Sequence, residues 1–381
     1  MFYILRQNNA DLLREIGRLK EILYNGRETV PNELMPYYTW LVKKCDYLYR
    51  NAMQNLQDIE FQLEDTLPEI LSTTQIITRE FRLFNQRQIN PVLRTLPSDR
   101  LCLKTLRWLH ASSPSTDQIP VAFSDDEFSI LPMEPCIYFM PSSAQHGLLY
   151  LPLFFHEYGH LLYSCHKPEM DDLISGFQIA IGDLLEPNVQ RNDLHAQEEA
   201  TKRVAIVETW YGWMQEIFCD AVGFCIGGPA FLRAFSMYLR MHGQNEFQVP
   251  VNELAGRSHP VTFLRVRLLS DLARRMGYNA ETDKLEGEWE KIAQTMGIIE
   301  DYFGYYEESF LTDLQQTIDD MLVESSPQMF SDAEEGSLVR LLNQAWQKFD
   351  ADSDFYPDWE AQVIENFLKT DLPPALAIRQ L

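Results

Sequence analysis

Apolar residues recur every three or four positions through the first hundred residues. Leu12, Leu13, Ile16, Leu19, Ile22 and Leu23 fall on one helical face, and Asn25-Gly26 breaks that run. The same spacing returns from Met35 to Phe84, interrupted near Pro68, so a helical hairpin or small bundle is expected over 1–110. Residues 111–135 lose the period. Ala-Ser-Ser-Pro-Ser-Thr, Ser-Asp-Asp-Glu and Pro-Met-Glu-Pro read there as loop chemistry. Cys136 to Met140 reads as a short strand closed by Pro141. An apolar helix is expected from about Leu148 to His166, ended by Pro168. The longest helical stretch spans 195–241, with a break at Gly227-Gly228-Pro229. A further helix follows Pro260, through Leu264, Val266, Leu268 and Leu269. From 281 onward the pattern is again helical, with turns at Gly336 and Pro357. The expected fold is mainly α, in the α+β sense, with one small β element. We divide the chain into an N-terminal helical region (1–115), a core (116–280) and a C-terminal helical region (281–381).

Composition changes this picture little. Of 381 residues, 45% are hydrophobic and 12% aromatic, enough to bury a core without disulfide staples. Charge changes it more. The net charge is −24, distributed as +2 over 1–110, −9 over 111–280 and −17 over 281–381. That balance argues against a nucleic-acid partner and against docking on anionic membranes. No apolar run is long enough to span a bilayer, and the first residues lack a basic segment followed by an apolar one. A soluble, cytoplasmic protein is expected. The six cysteines show no C-x-x-C pair, so free and mostly buried thiols are expected.

The chemistry concentrates in one segment. His156-Glu157-Tyr158-Gly159-His160 is an H-E-x-x-H motif, whose chance occurrence in such a chain is roughly one in a hundred. Residues four apart on a helix share a face, so both imidazoles can ligate one zinc ion. Glu157 points about 100° away and can act as general base on a water without binding the metal. Gly159 is costly inside a helix, by about 1 kcal/mol, and a close backbone approach would explain it. A third ligand is required. Glu216-Ile-Phe-Cys-Asp220 lies in an apolar helix among Trp213, Phe218 and Phe224. Glu216 would bind zinc, and Asp220 would accept the N–H of a ligand histidine. His259, before Pro260, could stabilise the oxyanion of a tetrahedral intermediate. Arg265 and Arg267 are read as partners of acidic helices.

H-E-x-x-H followed by E-x-x-x-D on a later helix resembles the gluzincin zinc metallopeptidases. The long gap between the two motifs, then Asp220-Ala-Val-Gly-Phe and Ser258-His259-Pro260, looks most like the HtpX and CAAX-prenyl-protease type. The resemblance covers about Cys136 to Leu269. It implies a zincin-like catalytic core, Zn2+ held by His156, His160 and Glu216, and Glu157 as general base and acid. It also implies Asp220 behind a ligand histidine and the 136–140 strand as the edge strand that pairs with an extended peptide. Those relatives are embedded in membranes; this chain has no spanning segment. The expected function is hydrolysis of peptide bonds in a peptide or protein substrate. The alternative is a non-catalytic, zinc-stabilised helical scaffold whose terminal helices bind protein partners. Structural zinc sites favour four ligands and cysteine, and Glu157 would have no purpose in one.

Overall fold

A computed structural model describes residues 1–61, 66–93, 99–111, 120–125, 127–132, 135–185, 194–242, 249–297, 300–330 and 338–369, together with Thr116 and Phe247. The protein is mainly α with a small three-stranded sheet. The helices are α1 (Phe2–Gly26), α2 (Met35–Glu60), α3 (Leu67–Leu83), α4 (Asn90–Leu93) and α5 (Asp99–His110). After the strands come α6 (Leu153–Cys165), α7 (Lys167–Leu184), α8 (Leu194–Gly227) and α9 (Pro229–His242). Then follow α10 (Val251–Leu254), α11 (Thr262–Arg275), α12 (Asn279–Met296), α13 (Leu311–Ser325), α14 (Leu338–Ala351) and α15 (Tyr356–Lys369). Among the described residues no helix is long and apolar enough to cross a membrane.

Proline and glycine punctuate as expected. Pro68 sits in the first turn of α3, and Gly228, at φ +56°, separates α8 from α9. Two boundaries move. The apolar helix starts at Leu153 rather than near Leu148, and Pro168 opens α7 as well as closing the run before it, because proline is tolerated in a first turn. The helix after Pro260 begins at Thr262. The turn expected at Gly336 lies outside the described residues.

The sheet corrects two expectations. The stretch 111–135 is not loop throughout: it holds β1 (Val121–Asp125) and β2 (Ser129–Leu131). Five and three residues are too few for alternation to stand out among Ser, Asp and Glu. The predicted strand exists as β3 (Ile137–Pro141), but it is central. The order is β1-β3-β2, with β1 parallel and β2 antiparallel to β3. β3 therefore cannot be the free edge; that place falls to β1 and β2.

Strand side chains alternate between faces. Val121, Ile137 and Phe139 turn toward a core built with Leu41, Leu48 and Phe84 of the N-terminal helices. Ala122, Tyr138 and Met140 turn toward a second core that runs from Leu101 to Tyr356. The second core includes helices from both sides of residue 281. Arg233 of α9 ties two of the acidic later helices to it, with Nη1 3.1 Å from Glu288 of α12 and Nη2 2.7 Å from Asp350 of α14.

Candidate metal centre

Helix α6 is apolar on nearly every side, as a buried helix must be. Residues 153–159 and 161–163 are all buried, and only His160 among them is partly open. Its lead-in is gripped from the C-terminal region. Trp346 Nε1 donates to Leu149 O at 3.1 Å, and Leu148 N donates to Glu360 Oε1 at 2.6 Å. Helix α8 crosses α6 at Gly159. A Cβ there would lie 2.8 Å from Cys219 Cα, closer than real Cβ contacts come. The glycine inside the H-E-x-x-H motif thus permits the helix crossing that brings the two motifs together.

At that crossing His156 and His160 of α6 meet Glu216 of α8. His156 Nε2 is 3.5 Å from Glu216 Oε2, and His160 Nε2 is 3.6 Å from Glu216 Oε1. Tetrahedral zinc with ligands at about 2.0–2.1 Å separates neighbouring donors by about 3.3–3.5 Å. One donor atom from each of the three residues lies within 4.8 Å of the others. Glu216 Oε2 is buried and has no aligned hydrogen-bond donor. Two imidazoles and a carboxylate with such an orphaned oxygen fit a divalent cation of zinc's preferences.

Asp220 lies behind His156, with Oδ1 2.9 Å from Nδ1. The contact is not aligned as a hydrogen bond. Asp220 is held by Arg265 of α11 through two bonds, Nε to Oδ2 at 2.8 Å and Nη2 to Oδ1 at 2.7 Å. The same Nη2 lies 3.3 Å from Glu216 Oε2. Arg265 pairs with carboxylates, but those of the apolar helix carrying the site, Asp220 and Glu216, rather than those of an acidic helix. Arg267 pairs with Glu300 and Glu308 away from it. Phe235 of α9 stacks on His156, centroids 6.3 Å apart, and takes the Arg265 guanidinium at 5.0 Å from its ring centre.

Electrostatics follow from burial. Loss of water pushes the Glu157 carboxyl up to about 7, against the opposing pull of His156. Burial would also raise Glu216, but His156 and Arg265 outweigh it and hold that carboxyl well below the usual range. Burial would lower His156; contacts with Asp220 and Glu216 raise it instead, to about 10. Burial and the neighbouring His156 lower His160 to about 4.

His259 reaches the same place from the loop before α11. Its Nε2 is 3.4 Å from Glu216 Oε1, and its side chain is 56% exposed, so it stands at the open side of the cluster. Among the described residues it does not complete a four-residue metal group. The other histidines lie elsewhere: His110 is buried beside Thr116 and Tyr138, and His166 faces Glu324. The side chains of His195 and His242 are outside the described residues. All six cysteines are free, five of them buried.

Sequence reading missed Arg265 and Phe235 as members of this cluster. Arg265 left a signal, a cation flanked by Leu264 and Val266 in the run Val261 to Leu269, though Arg267 shares that run. Phe235 left none, being one aromatic among many. A scan against protein-family models finds no match for the chain, and searches of curated proteins and of solved structures find none either.

Proposed function

We propose that the protein is a zinc-dependent peptidase, of the gluzincin kind in its arrangement of residues. The observation that carries the reading is the convergence of His156, His160 and Glu216 at tetrahedral-edge distances, with a buried carboxylate, Glu157, beside a ligand and outside the ligand set. His156, His160 and Glu216 would hold the ion. Bound zinc supplies Lewis acidity, which polarises a carbonyl and makes water acidic near neutral pH.

The chain's own residues do the rest. Glu157 takes the proton of the attacking water and hands it to the leaving amine. His259 directs an N–H toward the oxygen that becomes negative. Asp220 orients the His156 ring, and Arg265 fixes Asp220. Substrate enters on the side of His160 and His259, the least buried members of the cluster. Free cysteines throughout suit a reducing compartment, and we place the enzyme in the cytoplasm on that basis.

The test is metal analysis and peptide hydrolysis on wild type and Glu157→Gln. Both should bind about one zinc per chain. Wild type should cleave members of a mixture of quenched fluorescent peptides, and Glu157→Gln should lose roughly 10²–10⁴ in rate. A wild type purified without chelators, offered zinc and holding none, ends the reading.

A further inference from the structure

Helix α6 has no side-chain cap at Pro152, the residue before its first turn. It grows instead out of a series of tight turns. Leu151 N donates to Leu148 O at 3.3 Å, Leu153 N to Tyr150 O at 3.0 Å and Phe154 N to Leu151 O at 3.1 Å. The series opens at Leu148, and the N–H of Leu148 is met from the other end of the chain by Glu360 of α15, at 2.6 Å. A hydrogen bond to an ionised acceptor is roughly twice as strong as a neutral one. Tyr356, one turn earlier in α15, donates to the same Glu360 oxygen at 2.7 Å and holds the carboxylate in place. Gly147 leaves room for it, because a Cβ there would lie 3.1 Å from Glu360 Oε1. Trp346 of α14 takes the next residue, its Nε1 donating to Leu149 O at 3.1 Å.

The helix that supplies this grip is itself lightly seated. Among the described residues of α15 only Tyr356 is buried, while Trp359, Val363, Ile364, Phe367 and Leu368 are half-buried against the larger core. Its far end is held by Lys104 of α5, whose Nζ donates to Phe367 O and lies 4.3 Å from the Phe367 ring centre. Elements with few buried residues open locally at low free energy. Helix α6, by contrast, is buried along almost its whole length. We propose that α14 and α15 form a releasable clasp on the H-E-x-x-H helix, with Glu360 and Trp346 as positioning residues. Seated, they fix where α6 begins, and with it the height and rotation of His156 and Glu157. Released, they let that start slip, and small misplacements of reacting groups cost much rate. Displacing α15 then turns the site down without touching any metal-ligand candidate. The consequence for catalysis rests on the peptidase reading; the hold on α6 does not.

The test is amide hydrogen exchange of the full chain, read by mass spectrometry over residues 148–155, beside peptide hydrolysis. Glu360→Ala should speed exchange there roughly tenfold or more, because the Leu148 N–H loses its acceptor. Glu360→Gln, whose amide oxygen still accepts, should restore most of the protection. Gly147 has an extended backbone that alanine adopts freely, at φ −133°, so Gly147→Ala acts by pushing the carboxylate away. It carries the test where Glu360→Ala does not fold, and in the double variant the two effects should not add. Lys104→Met, at the far end of α15, should speed exchange in α15 and over 148–155 together. Glu365→Ala, an exposed change on the same helix that frees only Lys369, should leave 148–155 as in wild type. On a peptide that wild type cleaves, Glu360→Ala should lower kcat roughly tenfold and leave KM within about twofold. Unchanged exchange over 148–155 in Glu360→Ala or Gly147→Ala, an equal rise in Glu365→Ala, or a Glu360→Gln no better than alanine overturns the proposal. So does an unchanged kcat beside faster exchange. A wild type that cleaves nothing, with exchange as stated, refutes the peptidase reading and leaves the clasp standing.

Discussion

Two buried polar clusters invite comparison. In the N-terminal bundle Asn9, Asn55 and Thr74 meet between α1, α2 and α3. Asn9 Nδ2 donates to Thr74 Oγ1 at 2.9 Å, Asn55 Nδ2 donates to Asn9 Oδ1 at 2.9 Å, and Thr74 Oγ1 donates to Ile70 O at 2.8 Å. All three are neutral and satisfied locally. At the α6–α8 crossing a buried and a half-buried histidine meet three buried carboxylates and a buried arginine, and Glu216 Oε2 forms no hydrogen bond although Arg265 Nη2 lies 3.3 Å away. A satisfied neutral layer fixes which helices pair and in what register. A charged cluster with an orphaned acceptor is expensive to keep unless something binds there. The first reads as architecture and the second as a site.

The largest effect should come from removing the site's internal cation. Arg265→Met would leave Asp220 and Glu216 buried without their guanidinium, which typically costs about 3–5 kcal/mol. Zinc, where it binds, returns positive charge beside Glu216. Thermal unfolding should therefore show a larger gain from zinc in Arg265→Met than in wild type. An equal gain in both would mean that Glu216 and the ion do not meet, and the contrast between the two clusters would lose its basis.

A third buried polar group, His110, separates packing from pH sensing. Its Nδ1 is 3.0 Å from Thr116 O and its Nε2 is 2.9 Å from Tyr138 Oη, and burial lowers it to about 4. The native state keeps the ring neutral while the unfolded chain protonates near 6.5. Stability from this group is complete above pH 6.5 and is lost as pH falls toward 4, by about 3 kcal/mol in all. Denaturant unfolding of wild type and His110→Gln across that window should show their stability difference shrinking by that amount. Groups shared by both proteins cancel in the difference.

What was legible in the sequence follows the same division. Motifs confined to one helix could be read: His156, Glu157 and His160 by spacing, and Glu216 and Asp220 by two acids in an apolar run. The helices with a clear period, α1, α2, α3 and α8, could also be read. β1 and β2 could not, because three to five residues carry too little alternation to show through polar neighbours. The central place of β3 is a pairing between segments, which no local pattern contains. Phe235 belongs to the site only through the packing of α9 against α6.

Gly159 tests that crossing directly. Gly159→Ala puts a methyl 2.8 Å from Cys219 Cα, so α6 and α8 must part to make room. Overpacking of this kind costs about 1–3 kcal/mol. It also separates His156 and His160 from Glu216, so zinc affinity should fall with stability. Gly176 in α7 is the control: nothing lies within 4 Å of a Cβ there, and Gly176→Ala should stabilise by about 0.5–1 kcal/mol without touching zinc binding. Equal effects at the two glycines would show that helix propensity, not the crossing, sets the outcome.

The smallest effect sharpens the other side of the comparison. Asn55→Ala removes the donor to Asn9 Oδ1 and one of the bonds to Thr74 Oγ1. A buried acceptor left unmet costs about 1–3 kcal/mol; the bonds from Asn9 Nδ2 to Leu5 O and Thr74 Oγ1 stay in place but do not satisfy Oδ1. A loss of roughly 1–2 kcal/mol is expected in chemical denaturation, with zinc content and peptide hydrolysis unchanged. The strands join the two cores through opposite faces of one sheet, Ile137 and Phe139 on one side and Tyr138 on the other. That sheet is the route by which a change in the bundle could reach α6. If Asn55→Ala alters zinc affinity as well as stability, the bundle is coupled to the proposed metal site through β3, and its polar layer is part of the functional unit rather than architecture alone.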